Sequence, residues 1–278
     1  MGNIILVGSN KDPASMNIWD NLQEILDFET TEKKFMNKPI YFCRELGVHS
    51  IIIDSDLITA DFLEELPPEF SRILFLSKHA SKKGVPSLLV HFPGNWTKDN
   101  SMGGKPRTLS VADPILHKAL VMELSKMSSD GIVPRKYTIG IEVTHHGPTI
   151  NRACTFIEIG SSPEEWKDKN AGRIIAEVII KALENMEKYS GMDAWVGVGG
   201  PHYAPKFFSA LVSKPILLGH IIPKYVIDEV NKEVLVMALE RSLVRIKGVI
   251  IDWKGLKSQQ RQKIISILET LGASYQRI

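Results

Sequence analysis

The sequence predicts an α/β protein, with a layered α/β/α fold around a mixed, mostly parallel sheet. Short apolar runs of strand length alternate with amphipathic stretches of helical length, which is the pattern of layered α/β folds. The connection between the apolar runs 137–143 and 153–159 is too short for a parallel crossover, so these strands are predicted to run antiparallel. We expect one domain spanning residues 1–278.

The first half of the chain divides into four predicted strands, two helices and one long loop. Short apolar runs predict strands at 3–7, 48–53, 72–76 and 87–90, and apolar residues at helical spacing predict helices at 13–28 and 111–127. The loop at about 93–110 is rich in Gly and Pro. Loops of this length are usually functional or mobile, so we expect it to contact a ligand.

The second half continues the alternation. Strands are predicted at 137–143, 153–159, 194–198, 216–218 and 249–251, and helices at 163–189, at 206–212, just before the last strand and at 258–271. Ser162 is a predicted helix cap, because Pro163 fits the first helical position and Glu165 completes a capping box.

Composition limits the classes of protein that the chain can belong to. Two cysteines without a CxxC motif predict a reduced, cytoplasmic protein, and Cys154 lies in an apolar run typical of a core residue. No apolar run reaches the length of a membrane span, and the N-terminus lacks a signal-peptide pattern, so no membrane association is expected. The net charge of +2 does not by itself predict nucleic-acid binding.

The most informative feature is the position of the histidines. Six of the eight lie at or just past the end of a predicted strand: His79, His91, His145, His146, His202 and His220. Ligands of open α/β sheets bind outside the carboxyl ends of the strands, so these side chains are predicted to gather at one site.

Imidazole and carboxylate side chains are the ligands that zinc prefers. Asp54, Asp56, Glu142 and Glu158 lie near the same strand ends, which extends the predicted metal site. No HExxH motif is present, so the ligands would come from distant segments. For any single histidine, a hydrogen-bonded imidazole without a ligand role remains the alternative.

Two further predictions concern the histidine pair and the glycine-rich turns. His145 and His146 are neighbours, and neighbouring residues of a strand face opposite ways, so one of the two is expected to meet a given metal. Backbone N–H groups at Gly147 or at Gly199 and Gly200 are expected to be available to an anion or substrate. The sequence contains no dinucleotide fingerprint, no P-loop and no GxSxG nucleophile motif.

Basic residues cluster at two places, either as solvated loops or as phosphate contacts. One cluster contains Lys78, Lys82 and Lys83, and the other places Lys98, Lys105 and Arg107 around the stretch 101–104.

The chain contains several long and unusual motifs: 144–149 (THHGPT), 158–162 (EIGSS) with Trp166, 197–207 (GVGGPHYAPKF) and 219–220 (GH). Together they resemble one known family, the archaeal and plant type of D-aminoacyl-tRNA deacylase. The resemblance covers essentially the full chain. It implies a core similar to phosphorylases and peptidyl-tRNA hydrolase, a zinc cofactor, and hydrolysis of the ester that joins D-tyrosine or another D-amino acid to the terminal ribose of tRNA.

Together these observations assign three sets of residues. His145, His146, Gly147 and Glu142 are the predicted catalytic residues. The predicted zinc ligands are His79, His91, His145, His202, His220 and Glu158. The predicted contacts to the acceptor end of D-aminoacyl-tRNA are Lys82, Lys98, Lys105, Arg107 and Lys206. No protein partner is indicated. The alternatives are another metal-dependent hydrolase, a nucleoside phosphorylase-like enzyme, or an RNA-binding protein without catalysis.

Overall fold

The computed structural model describes residues 3–278 and confirms the mixed α/β class. The strands are β1 Ile4–Ser9, β2 Glu29–Phe35, β3 Lys38–Cys43, β4 Val48–Ile53, β5 Arg72–Ala80, β6 Ser87–His91, β7 Val111–Ala112, β8 Thr138–Ile141, β9 Ala153–Ser161, β10 Asp193–Val198, β11 Ile216–Ile222, β12 Ile246–Ile251 and β13 Tyr275–Arg277. The helices are α1 Pro13–Ile25, α2 Pro114–Ser129, α3 Pro163–Trp166, α4 Lys169–Asn185, α5 Pro205–Ser213, α6 Lys232–Glu240 and α7 Ser258–Leu271. Short 3-10 turns lie at Leu57–Thr59, Asp61–Glu65, Met186–Tyr189 and Lys224–Glu229.

The strands form two sheets. The larger sheet has the order β2-β3-β4-β1-β5-β9-β6-β8, with β7 beside β9. Its centre, β4-β1-β5-β9, is parallel, whereas β2, β3 and β6 pair antiparallel with a neighbour. The smaller sheet has the order β11-β10-β12-β13 and is parallel throughout.

The strand predicted at 137–143 runs antiparallel to β9, as expected, but the two strands are not neighbours. β6 lies between them, parallel to β8 and antiparallel to β9. The short connection from β8 to β9 therefore passes over the end of β6 and does not form a hairpin between neighbouring strands.

Several other boundaries differ from the prediction. The strand predicted at 216–218 continues to Ile222, so His220 lies within β11 and not beyond its end. The strand predicted at 72–76 continues to Ala80, so His79 lies within β5 and not beyond its end. The helix predicted at 111–127 begins at Pro114, because the Asp113 side chain accepts the Leu116 N–H. The helix predicted from 163 ends at Trp166 and restarts at Lys169, where Asp168 caps the new helix.

Alternating side chains of the larger sheet face two different layers. Ile4 and Leu6 pack with α1, α2 and α4 on one face. Ile5 and Val7 pack on the other face against the 3-10 turns at 57–66 and Phe70. The smaller sheet has its own apolar layer with α6 and α7. No helix of the described residues is long and apolar enough to span a bilayer.

The segment that follows β8 joins the two sheets. Val143 N–H donates to the His202 carbonyl oxygen at 2.9 Å, and Thr144 N–H donates to the Ile221 carbonyl oxygen at 3.1 Å. These bonds bring the residues after β10 to the strand ends of the larger sheet, where the histidines lie.

Candidate metal centre

Seven His and Glu side chains gather at these strand ends. They form three overlapping groups, in each of which the nitrogen and oxygen atoms lie within 4.8 Å of one another. The groups are His79 with Glu142 and Glu158, Glu142 with His145 and His202, and His91 with His145 and His146. Glu142 and His145 each belong to two groups, so the three groups form one continuous cluster.

Sheet register explains the first group. Ser77 of β5 and Leu89 of β6 both lie opposite Glu158 of β9, so alternate residues on these strands face the same side. His79 and His91 each follow those positions by two residues. Glu142 is the first residue after β8, and its N–H donates to the Val90 carbonyl oxygen at 3.1 Å.

His145 and His146 reach the cluster through a sharp turn. His146 has a φ of +45°, which lies in the left-handed region, and this turn brings both rings into one group with His91. Both rings therefore lie in one candidate group, and the expectation that only one of the pair meets a given metal stays a prediction. His145 Nδ1 lies 2.9 Å from the Val143 carbonyl oxygen and His146 Nδ1 lies 2.6 Å from that of Gly147. Each Nδ1–H is thus donated, and each Nε2 keeps its lone pair.

Two tyrosines contact histidines of the cluster from the side away from the carboxylates. His202 Nε2 lies 2.8 Å from Glu142 Oε1, and its Nδ1 lies 3.1 Å from the Tyr225 hydroxyl. His79 Nε2 lies 3.3 Å from the Tyr203 hydroxyl. Hydrogen bonds to the second ring nitrogen fix the orientation of a metal-binding imidazole.

Charges within the first group are strongly coupled. Burial alone lowers the pKa of His79, but the hydrogen bonds and charges of Glu142 and Glu158 raise it to about 11. Burial raises the pKa of Glu158 to about 8, and the neighbouring Glu142 carboxylate adds to this rise. Burial also opposes ionisation of Glu142, yet the hydrogen bonds of His202 and His79 hold its pKa well below the usual range.

Three histidines of the cluster, His91, His145 and His146, are neutral. Burial lowers the pKa values of His91 and His145, and it lowers that of His146 to about 3. Neutral imidazole is the form that binds a metal ion, because protonation removes the lone pair.

The donor set fits a zinc ion. His91 Nδ1 is buried without a hydrogen-bond partner, which is costly unless another ligand contacts it. His79 Nδ1 lies 3.4 Å from Glu142 Oε2 and 3.5 Å from Glu158 Oε2. Neighbouring ligands of a tetrahedral zinc with bonds of roughly 2.0–2.1 Å are separated by about 3.3 Å, close to both distances.

A cavity of about 620 Å³ opens onto the cluster. His79, His145, His146, His202 and Glu158 form part of its wall. The loop at 93–110 forms another part, through residues 94–97, 99 and 101–102. The cavity has the size and position expected of a small-molecule site.

Comparison with known proteins gives the family. The family model for D-aminoacyl-tRNA deacylase matches residues 66–276, three quarters of the chain. The chain belongs to the D-aminoacyl-tRNA deacylase family. It is similar to the D-aminoacyl-tRNA deacylases of Pyrococcus horikoshii, with 36% identity over 98% of both chains, and Methanocaldococcus jannaschii, with 33% identity over 99% of both. The predicted enzyme class is confirmed.

A solved structure has the same fold. It is described as a conserved protein of unknown function, shares 32% sequence identity and aligns with a TM-score of 0.87 over 99% of this chain and 95% of that one. The likeness of the core to phosphorylases and peptidyl-tRNA hydrolase stays a prediction.

His220 does not join the cluster in this deacylase-family chain. Its Nδ1 lies 3.0 Å from the Thr144 hydroxyl, and its Nε2 lies 3.0 Å from the carbonyl oxygens of Ser110 and Arg241. Both ring nitrogens therefore have protein partners, and burial lowers the pKa of His220 to about 4. His220 is the hydrogen-bonded structural imidazole that the sequence left as the alternative.

Two of the three predicted backbone donors, Gly147 and Gly199, are engaged, and the role of Gly200 stays a prediction. Gly147 N–H donates to the Met102 carbonyl oxygen at 3.1 Å, and Gly199 N–H donates to that of Ile222 at 2.8 Å. Neither N–H is free for a substrate oxyanion. Gly147 instead packs against the loop, because a Cβ at this position would overlap the Gly104 nitrogen and the Ile58 carbonyl oxygen.

The predicted tRNA contacts divide into two sets. Lys82, Lys98, Lys105 and Arg107 are exposed, and the last three belong to the loop over the cavity. Lys206 forms an ion pair with the buried Asp252 carboxylate, so its charge is compensated within the protein.

The sequence did not indicate Asp12 or Tyr225. Both line the cavity. The Asp12 side chain is buried and accepts from Ala14 N–H at 2.9 Å and Lys78 N–H at 2.8 Å, while burial raises its pKa. The sequence Asp12-Pro13 is a recognisable signal for a helix cap. Tyr225 follows β11, and a lone tyrosine after a strand gives no signal.

Of the predicted acids, Asp56 lines the cavity, and Asp54 pairs with Lys38.

Proposed function

We propose that this chain hydrolyses the ester bond of D-aminoacyl-tRNA, releasing a D-amino acid and free tRNA, and that zinc bound at the seven-residue cluster is its cofactor. The observation that carries the proposal is the cluster itself: seven His and Glu side chains form groups that could hold a metal ion, and five of them line a cavity in a chain of the deacylase family.

His79, Glu142 and Glu158 would hold zinc in the first group, with His91 alongside, since its Nδ1 lies 3.5 Å from Glu142 Oε2. The second group, Glu142 with His145 and His202, offers an alternative set of zinc ligands. Bound zinc lowers the pKa of water and polarises a carbonyl group, which is the chemistry that ester hydrolysis needs. Glu142 belongs to both groups, so we assign it as a ligand in either set.

Proton transfer falls to the neutral histidines. His146 donates its Nδ1–H to a backbone carbonyl oxygen and keeps Nε2 as an acceptor in the cavity wall. Its Nε2 lies 3.1 Å from Nε2 of His91, so an attacking water would replace this contact. A neutral imidazole held in this orientation is suited to accept a proton from that water. His145 has the same arrangement at its own Nδ1.

The tRNA is expected to enter by its single-stranded acceptor end. A cavity of about 620 Å³ accepts an aminoacyl ribose but not a duplex. Lys98, Lys105 and Arg107 then lie on the loop where the phosphates of the acceptor end would pass, and Lys82 is a further exposed cation on the loop after β5. Such contacts position the RNA without reading its sequence.

The decisive experiment is hydrolysis of D-Tyr-tRNA by the purified protein, before and after removal of metal with a chelator and after return of zinc. We expect hydrolysis, its loss with chelator, and its recovery with zinc. L-Tyr-tRNA serves as the matched control and should remain acylated. Binding of tRNA without hydrolysis under all three conditions would favour a non-catalytic RNA-binding protein and refute the proposal.

A further inference from the structure

A second cavity lies beside the cluster, on the same face of the larger sheet. Its volume is about 330 Å³, and it lies between β8 and α5. Most of its wall is apolar, and the residues that matter here are Val85, Leu89, Ile139, Tyr203, Pro205 and Phe208.

Sheet register places this apolar cavity next to the ligands. Leu89 lies directly opposite Glu158 in the antiparallel pair of β6 and β9, so the two side chains share one face. Gly140 pairs with Leu89 and precedes Glu142 by two residues. Side chains two residues apart on a strand face the same side, so the cavity begins one side chain away from the cluster.

Tyr203 belongs to both environments. Its ring lines the apolar cavity, and its hydroxyl lies 3.3 Å from Nε2 of His79. Tyr203 is 40% exposed and Val85 is 49% exposed, so these two residues form the open side of the cavity.

The chemistry of the wall selects an apolar group. The Ser87 hydroxyl lies 3.3 Å from that of Ser161, so it already has a partner within the protein. Gly140 contributes no side chain, which leaves the floor of the cavity open. An apolar cavity of about 150 Å³ accommodates benzene, so this larger one has room for a phenol or indole ring.

We propose that this apolar cavity binds the aromatic or large aliphatic side chain of the D-aminoacyl group while the ester lies at the cluster. The inference rests on the proposed function, since that function supplies a substrate with a side chain next to the scissile ester. It makes Leu89, Gly140, Tyr203 and Phe208 the residues that set the preference for one D-amino acid over another.

Narrowing the cavity from Gly140 tests this assignment. A Cβ at Gly140 would lie 3.5 Å from Leu89 Cδ2, an ordinary contact, so Gly140→Ala takes little space. Gly140→Val fills more of the cavity. We expect Gly140→Val to lower kcat/KM for D-Tyr-tRNA by about 10-fold or more while D-Ala-tRNA stays within about 2-fold, and Gly140→Ala to lower kcat/KM for D-Tyr-tRNA by a smaller factor.

The two substrates share the same tRNA, so they separate the amino-acid side chain from the terminal adenine. If Gly140→Val lowers kcat/KM equally for both substrates, the cavity binds the adenine or the variant is structurally damaged, and the assignment is overturned. Wild-type kcat/KM for both substrates would overturn it as well.

A measurement on the free enzyme keeps this test apart from the proposed function. NMR titration of the zinc-loaded protein with p-cresol should shift resonances of Leu89 and Phe208 in the wild type but not in Gly140→Val. If no D-aminoacyl ester is hydrolysed by the wild type, the proposed function fails; if esters are hydrolysed but cresol does not bind, only the cavity assignment fails.

Discussion

Glu142 and His202 meet across the junction of the two sheets, with Oε1 of the carboxylate 2.8 Å from Nε2 of the imidazole. Glu142 follows β8 of the larger sheet, and His202 follows β10 of the smaller one. Their contact is the point at which the two sheets contribute to one site. We expect Glu142→Gln to lower both bound zinc and the rate of deacylation, by about 10-fold or more for a ligand position.

Metal content by mass spectrometry of the native protein and single-turnover hydrolysis are the measurements. The matched control is Glu123→Gln, since Glu123 is a buried acid outside the cluster. Full zinc content in Glu142→Gln would remove Glu142 from the ligand set.

His220 provides the opposite expectation. Its two ring nitrogens bond to Thr144, Ser110 and Arg241, so His220→Ala leaves buried polar groups without a partner. We expect a loss of about 1–3 kcal/mol in the free energy of unfolding, with zinc content per folded protein unchanged. Urea unfolding and metal analysis measure the two effects separately. Loss of zinc without loss of stability would restore His220 as a ligand.

The loop cations are expected to contact the tRNA backbone. Replacing Lys98, Lys105 and Arg107 together by Gln should raise KM for D-aminoacyl-tRNA and reduce the salt dependence of binding, because fewer counterions are released from the RNA. Binding is measured at several salt concentrations. The control removes three exposed cations from elements that do not line the cavity, Lys34, Lys126 and Lys181. If both triple variants give the wild-type slope, the loop does not touch the phosphates.

Gly147 is expected to hold the loop in place. A methyl group there would overlap the Gly104 nitrogen and the Ile58 carbonyl oxygen, so Gly147→Ala should displace residues 101–104. We expect faster cleavage of the loop by a protease and a higher KM. Gly140→Ala, whose methyl group makes an ordinary contact, is the control for proteolysis. A cleavage rate equal to that of the wild type would show that the loop tolerates the methyl group.

Acid is expected to destabilise the metal-free protein partly through His117. Burial lowers the pKa of His117 to about 3, below its usual value of 6.5, so the unfolded chain binds the proton first. The stabilisation is complete above pH 6.5 and is lost as the pH falls from 6.5 towards 3. One such group changes the free energy of unfolding by at most about 1.4 kcal/mol per pH unit.

His117→Phe keeps a ring against Phe92, with which His117 packs at a centroid distance of 4.5 Å. Denaturant unfolding of both proteins in chelator, at about pH 5 and about pH 8 on either side of the usual histidine pKa, gives the comparison. We expect the loss between these pH values to be smaller in the variant. An equal loss in both proteins would mean that His117 stays neutral in the unfolded chain or titrates normally in the folded one.

Sequence patterns predicted the site's location better than its membership. Strand-end histidines pointed to the right edge of the sheet, because the carboxyl ends of parallel strands coincide. The strand-end pattern did not separate His220 from the other histidines. The hydrogen-bond partners of its two ring nitrogens come from residues 110, 144 and 241, which are distant in the sequence. Such long-range partners leave no local pattern.

The secondary structure was also predicted only in part. The apolar central strands were predicted, whereas the hairpin of β2 and β3 was missed because β2 is polar and mostly exposed. The capping box of Ser162 and Glu165 was found because both of its partners lie within four residues. The helix predicted from this capping box was too long. It ends at Trp166, and the Asp168 side chain caps a separate helix, α4, which the prediction had joined to it.

The order in which the cluster's residues occur along the chain has a consequence for biosynthesis. His79 is made early, whereas His202 and the Tyr225 that contacts it belong to the last third of the sequence. Chains emerge from the ribosome N-terminus first, and domains tend to fold as they emerge. A nascent chain that has completed the centre of the larger sheet still lacks His202, so the complete cluster exists only when translation of the smaller sheet is well advanced. The zinc loading that we propose would therefore reach full affinity only in nearly finished molecules.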